Sequence, residues 1–235
     1  MVTSEQNPLL GNPGSESNEK YYLTRDIVRE AYKVKNAVVV QAGLFVLLVS
    51  IFIGLFTHPI NGYFIGHPIL NSFGLVALAQ ALLITQPAPL SPEHKTLGGK
   101  IHGILNSTSV VLFLGGYTSI FYNKHVHNAN HITTWHALFG ITTYVFLGLV
   151  LLVGVAQFWT PILVFGSIDN AKKIYKYHRI AGYVTLGLIS FTILLALDSD
   201  YNNNVLHIPY WSVVPAIAAI FGGLIWGLKK AKLGF

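Results

Sequence analysis

Long apolar runs alternate with short polar reversals along most of this chain. Six runs, over 37–57, 66–85, 101–122, 132–159, 178–197 and 210–228, approach or exceed the roughly 20 residues that a membrane-spanning helix needs. Turn-forming residues separate them. Pro59 and the Asn61–Gly62 pair mark the first reversal, and Pro87, Pro89 and Pro92 the second. Asn123, Asn128 and Asn130 mark the third, Pro161 and Gly166 the fourth, and the polar stretch 198–204 the fifth. Pro215 lies inside the sixth run and predicts a mild kink there. Residues 1–21 are polar and rich in Ser, Asn, Glu, Gly and Pro, which predicts a disordered tail rather than a cleavable signal peptide. The pattern predicts an all-α polytopic membrane protein. A tail and juxtamembrane segment cover 1–34, a six-helix core covers 35–230, and a short tail covers 231–235.

Composition agrees with this reading. Only 10% of the residues are charged and 52% are hydrophobic, a balance suited to the lipid bilayer and not to a soluble domain. The net charge of +6 could suggest nucleic acid, but the cations form no binding stripe. They gather beside the apolar runs, which makes them a topology signal. Lys20, Arg25, Arg29, Lys33 and Lys35 precede the first run; Lys95 and Lys100 lie between the second and third. Lys172, Lys173, Lys176 and Arg179 open the fifth, and Lys229, Lys230 and Lys232 follow the sixth. With six spans all of these fall on one side, and only Lys124 on the other. Both termini are therefore expected in the cytosol.

Four successive runs each carry a histidine: His67, His102, His136 and His178. Ionisable residues in membrane spans are rare and usually functional. This pattern points to metal or haem ligation. The chain has no cysteine and its only methionine is Met1, so His–His pairs are the natural way to hold haem iron. The orientation sorts the four by depth. His67 and His136 fall at the non-cytosolic level, and His102 and His178 at the cytosolic level, about 20 Å away. That separation excludes a single four-histidine site and leaves two sites of two.

A short repeat accompanies the histidines. His67-Pro-Ile-Leu-Asn-Ser and His102-Gly-Ile-Leu-Asn-Ser share one pattern. Trp135-His136-Ala-Leu-Phe-Gly140 and Tyr177-His178-Arg-Ile-Ala-Gly182 share another, with Thr143 and Thr185 three residues further on. Within each pair the spans run in opposite directions, as in an inverted repeat. Four residues beyond the histidines stand Asn71, Asn106, Gly140 and Gly182; seven beyond stand Gly74, Ser109, Thr143 and Thr185. These positions share the histidine's helix face. Small residues there suit a flat macrocycle, and they equally suit close helix packing.

At these residues the chain resembles the cytochrome b-561 family of transmembrane electron carriers. The matching elements are His67-Pro68 with Gln80-Ala81, Ser91-Pro92-Glu93, Lys100-x-His102, Thr134-Trp135-His136 with Gly140, and Tyr177-His178-Arg179 with Gly182. The resemblance runs through all six spans and is nearest to the branch that consists of the six-helix core alone. It implies two b haems in a central four-helix bundle, ligated by His67 with His136 and by His102 with His178. It also implies electron transfer from cytosolic ascorbate to monodehydroascorbate or a ferric chelate. Lys100 matches the family's ascorbate position well; Lys95, Lys172 and Lys173 match approximately. Thr133-Thr134-Trp135-His136-Ala137 departs from the family's Leu-His-Ser-Trp acceptor motif, which leaves the acceptor open. A homodimer is compatible with the resemblance, because members often dimerise.

On the non-cytosolic side His125, His127 and His131 crowd one loop. His127 and His131 are the candidates for an acceptor site, while His125 reads as a solvated loop residue. His58, His94 and His207 lie at span ends or in loops and carry no expected redox role. Tyr210, Trp211 and Trp226 read as interfacial anchors. A proton-coupled or metal-ion transporter is the alternative, since intramembrane histidines and inverted repeats suit it as well. Against it, no Asp or Glu lies in the six runs. A flavin-dependent ferric reductase fits less well, because it stacks its histidines on two helices and adds a nucleotide domain. Finally, Glu5-Gln-Asn-Pro-Leu9-Leu10 resembles an acidic dileucine sorting signal, which favours a vacuolar, lysosomal or other endomembrane over the plasma membrane.

Overall fold

The structure is a computed structural model that describes residues 13–60 and 62–229, with side chains from residue 23 onward. Its helices are α1 (Pro13–Tyr32), α2 (Lys35–Thr57), α3 (Gly62–Thr85), α4 (Pro92–Val126), α5 (Trp135–Phe158), α6 (Pro161–Phe165), α7 (Ile168–Leu197) and α8 (Tyr210–Trp226). A π-helical turn, η1 (Asn202–Leu206), joins α7 to α8. No strand occurs among the described residues. Five helices are long and apolar enough to cross a membrane, and α8 is a shorter apolar helix of 17 residues. At 1.5 Å per residue α8 spans about 26 Å, a little under the hydrocarbon thickness of about 30 Å. The protein is an all-α polytopic membrane protein.

Apolar length alone misjudged where two helices start. α4 and α7 begin roughly three turns before their apolar runs. The reason is capping: Ser91 Oγ accepts from His94 N at 3.1 Å, with Pro92 following, and Ser167 Oγ accepts from Asn170 N at 3.2 Å. The polar first turns of both helices therefore project beyond the apolar layer. The fourth reversal is itself helical. Pro161 starts α6, and Gly166 ends it at φ 73°, where a side chain would be strained.

The tail also departs from expectation. α1 is helical across part of the stretch whose composition predicts disorder. Its anchor is apolar: Ile27 and Ala31 are buried against Ile84, with Leu97, Ile101 and Leu105 packed around them. Leu9 and Leu10 lie outside the described residues.

Three antiparallel pairs build the body: α3 with α4, α5 with α7, and α2 with α8. Small residues allow close approach. A Cβ on Gly74 would meet the Phe113 ring at 3.1 Å, and one on Gly43 would meet the Ala216 carbonyl at 2.8 Å. Ser109, fully buried, donates to the Gly74 carbonyl at 2.7 Å and ties α4 to α3. The outer surface is apolar: Phe45, Val111 and Leu152 are each more than 60% exposed, which suits lipid and not water. α3/α4 and α5/α7 face one another but touch mainly through α4 and α5, leaving space between the pairs.

Candidate functional site

The facing pairs bring the four intramembrane histidines together two by two. His67 on α3 meets His136 on α5, with ring centroids 6.0 Å apart and planes at 90°. His102 on α4 meets His178 on α7, at 6.3 Å and 80°. Among the described residues no group of three or more His, Asp or Glu gathers as a metal site.

Three of the four rings are held from behind by their own hairpin. Nδ1 of His67 donates to the Gly116 carbonyl at 3.0 Å, and Nδ1 of His102 to the Ala81 carbonyl at 2.8 Å. Nδ1 of His136 donates to the Thr192 carbonyl at 2.9 Å. Nδ1 of His178 is buried without a well-formed hydrogen bond, and the Val150 carbonyl is its neighbour on α5. These four carbonyls obey one rule. Each belongs to the residue fourteen positions beyond the histidine of the opposite helix: Ala81 beyond His67, Gly116 beyond His102, Val150 beyond His136 and Thr192 beyond His178. The inverted repeat suggested by short motifs is thus present in the placement of the carbonyls behind the rings, three of which accept a hydrogen bond. Fourteen residues of helix rise about 21 Å, which is the separation of the two histidine levels.

A histidine whose Nδ1 donates to a carbonyl keeps its lone pair on Nε2, the usual preparation of a metal-bound imidazole. Two imidazoles on opposite faces of one metal ion, at about 2.0–2.1 Å per bond, would have centroids about 6.4 Å apart. The observed 6.0 and 6.3 Å fit a shared iron in both places. In this structure the Asn106 amide lies 3.1 Å from His102 Nε2 and also donates to the His102 carbonyl at 2.8 Å. Asn71 bonds the His67 carbonyl in the same way, at 2.8 Å, and is fixed in turn by the Tyr144 hydroxyl at 2.8 Å.

A cavity of about 240 Å³ opens beside His102 and His178. Gly103 and Gly182 contribute low walls. A Cβ on Gly182 would meet nothing within 4 Å, and one on Gly103 only the Trp159 indole nitrogen at 3.8 Å. Such a slot suits a flat macrocycle. Arg179, Lys229, Tyr175 and Gln86 are among its polar lining residues. Gln86 is locked by Asn36, which donates to its Oε1 at 2.8 Å, and by the Leu224 carbonyl at 2.8 Å. In the sequence Arg179 and Lys229 read as topology signals; the fold brings both to the site. The adjacency of Arg179 to His178 was the available sign for one; nothing local pointed to Lys229 or Gln86, which arrive through α8 and α3.

The expected substrate residues are more scattered. Lys95, Lys100, Lys172 and Lys173 are exposed at the same end as this cavity and do not line it. Lys172 pairs with Asp169 at 2.8 Å, and Lys173 donates to Asn170 Oδ1 at 3.0 Å. At the opposite end His131 stacks on Phe121, with centroids 4.7 Å apart and planes at 29°. His127 Nδ1 donates to the Asn123 carbonyl at 2.7 Å and is exposed.

Two half-buried histidine pairs at two depths in a helical membrane protein are the architecture expected of a transmembrane redox carrier. The family profile described as eukaryotic cytochrome b561 matches residues 66–202, more than half of the chain and the whole of α5 and α7 up to η1. The chain belongs to the cytochrome b561 family. Membership carries transmembrane electron transfer as an oxidoreductase and the binding of haem b. No curated protein matches the chain.

Proposed function

We propose that this protein transfers electrons from cytosolic ascorbate across a membrane to a ferric chelate or monodehydroascorbate, using two b haems. His67 and His136 are the axial ligands of one, and His102 and His178 of the other. The observation that carries the reading is the pair of histidine pairs itself: two centroid separations near that of a shared iron, at opposite ends, with the Nδ1 atoms of His67, His102 and His136 bonded to backbone carbonyls at equivalent positions of the facing helices. Haem, when bound, supplies reversible one-electron chemistry at iron. The chain's residues do the rest. Imidazoles from both sides would leave the iron no open position for a further ligand. The carbonyl anchors fix the tautomer and direction of the His67, His102 and His136 rings. Gly103 and Gly182 leave room along the walls.

At the basic end Arg179 and Lys229 line the cavity, with Lys95, Lys100, Lys172 and Lys173 around it. Ascorbate is an anion, and this field draws it in. Lys100, two residues before His102, is the assigned contact. Asp169 and Asn170 already engage Lys172 and Lys173, so their contribution is attraction at longer range. At the other end His131, flat against Phe121, and the neighbouring His127 form the acceptor surface. We assign the cation-rich end to the cytosol, with a core over 35–230 between cytosolic tails, an endomembrane of vacuolar or lysosomal kind as the location, and a homodimer as the assembly.

The test is spectroscopic. Purified protein is reduced with ascorbate, then offered ferric citrate or monodehydroascorbate separately. The proposal expects full haem reduction and reoxidation by at least one acceptor. Haem that stays oxidised with ascorbate contradicts it.

A further inference from the structure

Two histidines outside the intramembrane set meet at the end of the bundle that carries His67 and His136. His58 follows the last turn of α2, and His207 follows η1. They are 149 positions apart in sequence, yet their ring centroids are 5.3 Å apart with planes at 64°. The chain approaches closely here because Gly54 has no side chain. A Cβ on it would sit 2.5 Å from Ile208 Cγ1, so the segment after η1 rests directly on the last turn of α2.

The His58 ring and the His207 backbone are both held in place. His58 Nδ1 faces the Gly54 carbonyl at 3.0 Å and Thr57 Oγ1 at 3.1 Å. The Thr57 proton is committed to the Ile53 carbonyl at 2.6 Å, so that oxygen presents a lone pair to the imidazole. Two acceptors place the proton on Nδ1 and leave the Nε2 lone pair for a metal. His207 adopts a left-handed backbone, φ 50° and ψ 33°, uncommon for a residue with a side chain. Asn202 holds it there. The Asn202 carbonyl accepts from His207 N at 2.8 Å, and its side chain bonds Ile208 N at 3.0 Å and the Leu197 carbonyl at 3.0 Å. Held backbone outliers of this kind gather at functional sites.

The separation is compatible with one coordination geometry. Two imidazoles sharing a tetrahedral metal at about 2.0–2.1 Å per bond have centroids about 5.2 Å apart. The intramembrane pairs, at 6.0 and 6.3 Å, fit opposite faces of one ion; His58 and His207, at 5.3 Å, fit adjacent positions. His207 is exposed and His58 half-buried, so an ion arriving from solvent could reach both, and water would fill its remaining positions. Two neutral imidazoles suit late divalent transition metals and not Mg²⁺ or Ca²⁺.

We propose that His58 and His207 form a binding site for a divalent late-transition-metal ion, of the Zn²⁺ or Cu²⁺ kind. The proposal stands independently of haem ligation. The test is calorimetric titration of Zn²⁺ into the full-length, haem-loaded protein at neutral pH. The variants are His58→Gln, His207→Asn, which keeps a residue tolerant of left-handed backbone, and His127→Ala. Saturable binding that weakens at least tenfold in His58→Gln and His207→Asn, and persists in His127→Ala, is expected. Binding unchanged in the first two, or lost with His127, overturns it. A second measurement does not depend on their folding. Spin-echo spectroscopy of Cu²⁺ bound at one equivalent to His127→Ala should count two imidazoles; one or none overturns the site.

Discussion

Gly154→Ala tests the His178 site with the smallest available change. Gly154 lies on α5 against the His178 ring, and a Cβ there would stand 2.9 Å from Cε1 and 3.6 Å from Nε2. Carbon contacts settle near 3.5 Å, so the ring must retreat by about 0.6 Å. That exceeds the roughly 0.5 Å tolerance of a working ligand geometry. Overpacking of one methyl costs about 1–3 kcal/mol, or about fivefold to 150-fold in an equilibrium. The helix itself gains about 0.8–1 kcal/mol from the replacement of glycine, so the penalty falls on the site and not on the fold. The assay is haem transfer to excess apomyoglobin, followed in the visible band. The variant should release about half of its haem faster, by about fivefold or more, with the other half unchanged. Gly148→Ala, on the same helix with nothing within 4 Å of its Cβ, should release haem at the parent rate. Gly154→Ala that releases both halves at the parent rate, or both equally faster, refutes the placement of Gly154 against a ligand.

Other consequences are as direct. Lys100→Ala should slow ascorbate reduction severalfold, as expected for one partly screened cation, and leave the oxidised spectrum unchanged; stopped-flow reduction decides this. Tyr144→Phe removes the hydrogen bond that fixes Asn71 and should cost about 0.5–1.5 kcal/mol in thermal stability. Burial raises the pKa of the Tyr32 phenol, whose hydroxyl bonds Gln80. The folded state then holds that proton more tightly, so its contribution is complete below about pH 10 and is lost as pH rises further; Tyr32→Phe should flatten the alkaline part of a stability profile. Replacing Leu9 and Leu10 by Ala should redirect a fluorescent fusion away from the vacuolar or lysosomal membrane, and an unchanged distribution removes the dileucine reading.

Hydropathy and turn residues were enough to find α2, α3, α4, α5, α7 and α8, because each is an apolar run between strong breakers. They could not find the polar starts of α4 and α7, where Ser91 and Ser167 set the boundary by capping. The helical order of α1 was hidden for a similar reason: its partners, Ile84 and Leu97, lie far along the chain. The four histidines were legible because an ionisable residue in an apolar run stands out. Their carbonyl anchors were not, since a backbone acceptor leaves no mark on side-chain identity. His58 and His207 looked like span-end residues because only the fold of α2 against the segment after η1 brings them together.

The central claim is that each chain holds two haems, one per histidine pair. The most direct measurement is haem per polypeptide by pyridine haemochrome and protein quantification, on the parent chain and on His67→Ala and His102→Ala. Two low-spin b haems per parent chain and one in each variant is the predicted result. One haem in the parent chain, or loss of all haem from both variants with the fold intact, contradicts the account.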